Sequence, residues 1–149
     1  MGSKYKHVFS PIRIRGVTFK NRLEMAPPSP NLASKDGMVT PEFVDMFRSI
    51  ASGGVAVIHI GNSMIAYDEA RDEARQLDIG TDDCILPLTR FVEALENFGA
   101  LASLEINHSG KDSMYEMTGK PAYSASPLIS AREAQRAAKL GVEPIPCLE

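Results

Sequence analysis

No run of about 18 apolar residues occurs in the sequence, so no segment has the length of a membrane-spanning helix. Met1 to Phe9 also lacks the apolar centre of a signal peptide. Both absences predict a cytoplasmic protein with no membrane partner. An excess of one charge is missing too: 16 Lys and Arg stand against 19 Asp and Glu, a net charge of −3. Nucleic-acid backbones demand a basic surface, so no nucleic-acid partner is predicted. Cysteine is scarce, with only Cys84 and Cys147, far apart and outside any C-x-x-C or Cys/His spacing. They read as two reduced thiols of a cytoplasmic protein. With His7, His59 and His108 scattered, no set of four metal ligands forms, and no metal site is predicted.

The composition that is present is globular. Of 149 residues, 44% are hydrophobic and 23% charged, which argues for one folded domain rather than a disordered chain.

Residues 12–20 alternate in polarity on both sides of Gly16, the pattern of a short β-hairpin. Arg22 to Ala26 reads as a strand, stopped by Pro27-Pro28, because neither proline can donate to a sheet ladder. Ser29 to Met38 reads as a loop. Thr40-Pro41-Glu42 predicts a helix start, with Thr40 as cap and Pro41 in the first turn. Phe43, Met46, Phe47 and Ile50 recur at helical spacing, and Ser52-Gly53-Gly54 ends the helix.

Val55 to Ile60 is a continuous apolar run, as in a parallel strand buried on both faces. Gly61 to Thr81 reads as a polar connection, its charged centre Asp68 to Arg75 a solvated loop or short helix. Asp82-Asp83 are placed to cap a second helix from Cys84 to Asn97, with Ile85, Leu88, Val92, Leu95 and Phe98 as its buried stripe. Gly99 ends it, and Ala100 to Ile106 forms a third apolar strand. A last helix is predicted over Ser130 to Leu140. Strands alternating with helices predict an α/β fold with a parallel sheet. A G-x-G-x-x-G turn after the first strand would mark a dinucleotide site, but the strand ends in Ala26-Pro27-Pro28-Ser29. The alternation by itself leaves a doubly wound sheet and a barrel both open.

Three groups of residues narrow the choice. Phe9-Ser10-Pro11, Lys20-Asn21-Arg22 and Met25-Ala26-Pro27 stand in one order and spacing near the start. Ser52 to Ile58 and then Leu104-Glu105-Ile106-Asn107-His108-Ser109-Gly110-Lys111 follow. Together they resemble the Old Yellow Enzyme, or NADH:flavin oxidoreductase, family, in its 2,4-dienoyl-CoA reductase-like and bile-acid-inducible reductase branch. Pro121 to Pro127 is similar to the segment before the family's fourth unit, so the resemblance runs over nearly the whole chain.

The resemblance implies a (β/α)8 barrel with FMN at the C-terminal ends of the strands, where barrel loops host chemistry. It implies an oxidoreductase in which NAD(P)H reduces FMN and hydride passes to an activated C=C bond. It places the flavin ring against Ala26, Pro27, Pro28 and Ser29, whose hydroxyl would tune the ring. Gly61 would let the backbone approach closely. Glu105 stands where the family's motif, Q-L-x-H-x-G-R, usually has glutamine. A carboxylate accepts from a ring N–H but cannot donate unless protonated. Lys111 replaces the motif's arginine and lacks its planar fork. His108 and His59 read as structural, and no residue is assigned a catalytic role.

A complete barrel takes about 250 residues. The resemblance therefore implies that residues 1–149 are a partial FMN-binding domain, about three β/α units after a hairpin. Such a piece would lack the phosphate grip and hold FMN weakly or not at all. It would also leave sheet edges and an apolar face open. This predicts a non-catalytic fragment assembling as a homo-oligomer or with a complementing chain.

Overall fold

A computed structural model describes residues 4–149. Strands β1 (Ile12–Ile14) and β2 (Val17–Phe19) form the antiparallel hairpin, with Ile12 opposite Phe19. Arg15 takes the left-handed position of its turn at φ 52°. The Lys20-Asn21-Arg22 motif then fastens the hairpin to the next layer. Buried Asn21 donates from Nδ2 to the Gly54 carbonyl at 2.7 Å, and its Oδ1 accepts from the Leu23 N–H. Lys20 Nζ donates to the Phe98 carbonyl at 2.5 Å, where a cation meets the negative end of a helix.

Strand β3 is short, Glu24–Met25, because Pro27 and Pro28 end its ladder. Helix α1 (Pro41–Ser52) starts as its sequence predicts: Thr40 Oγ1 accepts from the Phe43 N–H at 3.2 Å, with Pro41 in the first turn. Strand β4 (Val57–Met64) is the centre of the sheet. It pairs in parallel with β3 at its start, Glu24 opposite Val57, and with β5 (Leu77–Asp78) at its end, Ser63 opposite Leu77. On its other side it pairs in parallel with β6 (Leu101–Asn107), from Val57–Leu101 to Met64–Asn107. The register shifts between Ile60 and Ser63, a bulge centred on Gly61-Asn62.

Three expectations change here. The run expected to end at Ile60 continues to Met64, so Gly61 lies inside β4 rather than after it. In Gly61 to Thr81 the charged centre does hold a short helix, α2 (Tyr67–Ala70), but the connection is not polar throughout: β5 folds its end back, and Gln76, Leu77 and Asp78 are buried. Stopping β3 at its prolines leaves the end of β4 without a neighbour on that side, and β5 takes the vacant register. Finally, Asp82 and Asp83 make no side-chain cap bond; they sit in a 3-10 turn over Asp82–Cys84 ahead of α3 (Ile85–Glu96).

The core lies between α1, α3 and one sheet face. Phe43, Phe47 and Phe91 form an aromatic triad with ring centroids 4.8 to 5.6 Å apart, on a floor of Ile58 and Ile60. Phe91 and Leu95 are the buried residues of α3, whereas Ile85 is 58% and Phe98 38% exposed. The buried stripe is rotated from the expected one: Cys84, Leu88, Phe91 and Leu95 share the inward face at helical spacing, and Ile85 and Phe98 fall on its rims. Beyond β6, helix α4 (Tyr115–Thr118) and helix α5 (Ala131–Leu140) close the described chain. Ser130 caps α5 through the Glu133 N–H. Among the described residues no helix is long and apolar enough to cross a membrane.

Candidate functional site

The loop after β3 and the middles of β4 and β6 meet at Gly61. A Cβ built there would lie 2.8 Å from Glu105 Oε2, 2.9 Å from the Pro28 carbonyl oxygen and 3.0 Å from the Pro27 carbonyl carbon. Contacts that short leave no room for any side chain, which is why glycine occupies this position. The bulge in β4 turns this backbone toward Pro27-Pro28, a device that strands use beside functional sites. Four of the six candidate residues, from the loop after β3, from β4 and from β6, therefore converge within one side chain's width. Ala26 and Ser29 flank the two prolines on the same loop.

The chemistry of this cradle is rich in acceptors. Pro27 and Pro28 have no N–H, so their stretch offers a flat apolar wall and carbonyl oxygens. Glu105 is exposed and has no hydrogen-bond or ion-pair partner among the described residues. As a carboxylate it adds two acceptor oxygens. Ser29 is already engaged: its Oγ donates to Glu73 Oε2. An aromatic ring with an N–H edge suits this arrangement, since it needs close backbone approach and acceptors. These residues thus fit one edge of a flavin, with Glu105 able to accept from the ring N–H but not to donate while ionised.

A polar network braces the same end of the sheet. Asn107 Nδ2 donates to Asn62 Oδ1, and Asn62 Nδ2 donates to Asp72 Oδ1 at 3.2 Å. Gln76 Nε2 donates to the same Asp72 oxygen at 2.6 Å, and Arg132 Nη1 reaches Asp72 Oδ2 at 3.1 Å. Asp72 therefore links β4, β6 and α5. Helix α5 is in turn held by Glu133, which accepts from Arg136 at 2.6 and 2.7 Å and from the Ile145 N–H at 2.8 Å. The Arg136 bonds, joined by that of Ile145, hold the Glu133 carboxyl below its ordinary range despite its burial.

The sequence offers little sign of this network. Asp72 and Gln76 lie in a charged stretch whose composition suggests solvent. Only the buried β5 register brings them inward.

The two histidines are local. His108 Nδ1 accepts from the Gly110 N–H at 3.1 Å, and His59 Nε2 lies 3.4 Å from Glu24 Oε2. Lys111 pairs with its neighbour Asp112 at 2.9 Å. Cys84 and Cys147 are free and buried, and burial raises the Cys84 thiol above its ordinary value.

A family model described as NADH:flavin oxidoreductase / NADH oxidase matches residues 7–143. Among curated relatives, the NADH oxidase of Thermoanaerobacter brockii is 31% identical over 107 residues, covering 72% of this chain and 16% of that protein. Among solved structures, a 2-naphthoyl-CoA reductase complex superposes with a TM-score of 0.83 at 18% identity, over 97% of this chain and 22% of that one. The Old Yellow Enzyme of Pichia sp. AKU4542 gives 0.77 at 19% identity, over 93% and 37%. The chain thus has the N-terminal portion of their barrel fold and spans well under half the length of each.

Proposed function

Since the chain belongs to the NADH:flavin oxidoreductase / NADH oxidase family, we propose that it carries part of the flavin site of an FMN-dependent NAD(P)H oxidoreductase of the ene-reductase type. The observation that carries this reading is the convergence of Pro27 and Pro28, just past β3, with Gly61 in the bulged stretch of β4 and Glu105 in β6. When bound, FMN supplies hydride transfer from NAD(P)H to an activated C=C bond. Ala26, Pro27 and Pro28 wall the ring, Gly61 lets the backbone reach it, Ser29 lies at its rim, and Glu105 accepts from its N–H. The Asp72 network ties Asn62 and Asn107, the β4 and β6 residues near Gly61 and Glu105, to α5. The two buried free thiols favour a reducing compartment, the cytoplasm.

The 149-residue chain on its own is expected to bind FMN weakly and not to turn over. Supporting this, it spans 22% and 37% of the two barrels it superposes on. Titration with FMN, followed by visible absorbance and flavin fluorescence, tests the reading. Saturable quenching with a shifted band is expected; an unchanged spectrum at high FMN overturns it.

A second reading, a non-catalytic piece that assembles with a copy of itself or a complementing chain, rests on β6. Its far edge has no strand partner among the described residues. Leu104 is 38% and Ile106 68% exposed there, beside an apolar groove of about 270 Å³ lined by Leu88, Phe91 and Val92. Light scattering at micromolar concentration separates an assembly from a monomer.

A further inference from the structure

Ser29 is the one candidate flavin contact whose side chain holds a hydroxyl proton. That proton is committed, because Ser29 Oγ donates to Glu73 Oε2. Both partners are held in place. The Arg75 N–H donates to Asn31 Oδ1 at 2.6 Å, Arg75 Nε donates to the Ala33 carbonyl at 2.6 Å, and the Ala33 N–H donates to the Arg75 carbonyl at 3.0 Å. These bonds dock the Asp72–Gln76 turn on the loop that carries Ser29. Within the turn, Gln76, only 2% exposed, accepts the N–H groups of Asp72 and Glu73 on its Oε1. The backbone of Glu73 is thus fixed beside Ser29 by this turn.

A hydroxyl that donates to a carboxylate shows only lone pairs to anything else. Beside a flavin, those lone pairs suit an N–H of the reduced ring and oppose the bare acceptor atoms of the oxidised ring. We infer that Glu73 is a positioning residue that makes Ser29 an acceptor, so that this site favours reduced over oxidised flavin. The inference rests on the flavin reading of the preceding subsection.

The experiment compares affinities of the full chain for oxidised FMN and for dithionite-reduced FMN without oxygen, in wild type, E73A, S29A, the double variant and E73Q. Removing the carboxylate frees the Ser29 proton to face the oxidised ring. E73A should therefore lower the preference for reduced FMN by about three- to tenfold, the scale of one exchanged hydrogen bond. In the S29A background the same change should do nothing, because Glu73 acts only through Ser29. E73Q retains an amide oxygen that accepts, so it should keep the wild-type preference within about twofold.

An E73A variant with a lower Tm but an unchanged preference overturns the inference and leaves Glu73 a packing residue. An equal effect of E73A with and without Ser29 overturns it as well. Loss of the preference in E73Q would trace it to charge and not to the hydroxyl, and would also overturn the inference. If wild type binds neither form of FMN, the flavin reading fails and takes this inference with it, whereas normal binding with an indifferent E73A removes the inference alone.

Discussion

Glu105 meets the backbone of Gly61 with a carboxylate that no other described residue engages. An amide at this position would keep the acceptor and add a donor for a ring carbonyl. E105Q is therefore expected to tighten FMN by about three- to tenfold, read from the fluorescence titration; equal or weaker binding would place the flavin edge elsewhere. Gly61 itself tolerates nothing larger. Two of the three atoms nearest to a Cβ are backbone atoms of Pro27 and Pro28, which cannot rotate away as a side-chain tip can. G61A should cost about 1–3 kcal/mol of stability, seen as a lower urea midpoint, and should weaken any flavin binding in parallel.

Among the elements, α3 bears most on the core. Phe91 is 1% exposed and meets both Phe43 and Phe47 edge-on. F91A leaves a cavity under the sheet and is expected to cost about 3–5 kcal/mol, against a total domain stability of about 5–15 kcal/mol. Loss of cooperative unfolding in urea would be the sign.

Helix α5 depends on pH. The Glu133 carboxyl is held below its ordinary value of 4.5 by Arg136, so its contribution is fully present above that value and is lost as the pH falls through the lower, folded one. The difference in Tm between wild type and E133Q should accordingly be clear at pH 7 and shrink under strongly acid conditions. A difference independent of pH would mean that Glu133 acts through shape alone.

The whole molecule is the start of a barrel, with one finished and one unfinished side. Helices α1 and α3 cover one sheet face, while the outer edge of β6 presents Ile106 at 68% exposure. If that edge mediates assembly, I106K should lower the mass measured by light scattering. It should leave the Tm nearly unchanged, because an exposed position contributes within about 0.5 kcal/mol. An unchanged mass in I106K and in L104K would remove the edge from consideration.

By itself the sequence determined the features that depend on near neighbours in the chain. Thr40-Pro41 and Ser130 start helices because a cap acts on an N–H three residues away. Pro27-Pro28 end β3 because proline has no N–H. The ordered motifs around Lys20-Asn21-Arg22 and Glu105 to Lys111 point to the family and its barrel, and residues 7–143 match it.

What joins distant segments was decided by the tertiary structure. That β4 runs on through Gly61 to Met64 depends on β6 and β5 supplying its hydrogen bonds there. That Phe91 rather than Ile85 is buried depends on where α1 places Phe43 and Phe47. That Asp72, Glu73 and Gln76 brace the candidate site, in a stretch whose charge suggests solvent, depends on bonds to Asn62, Arg132 and Ser29 from elsewhere in the chain. Local rules read caps, turns and periodicity, whereas a buried polar residue is stabilised only by partners that folding brings to it.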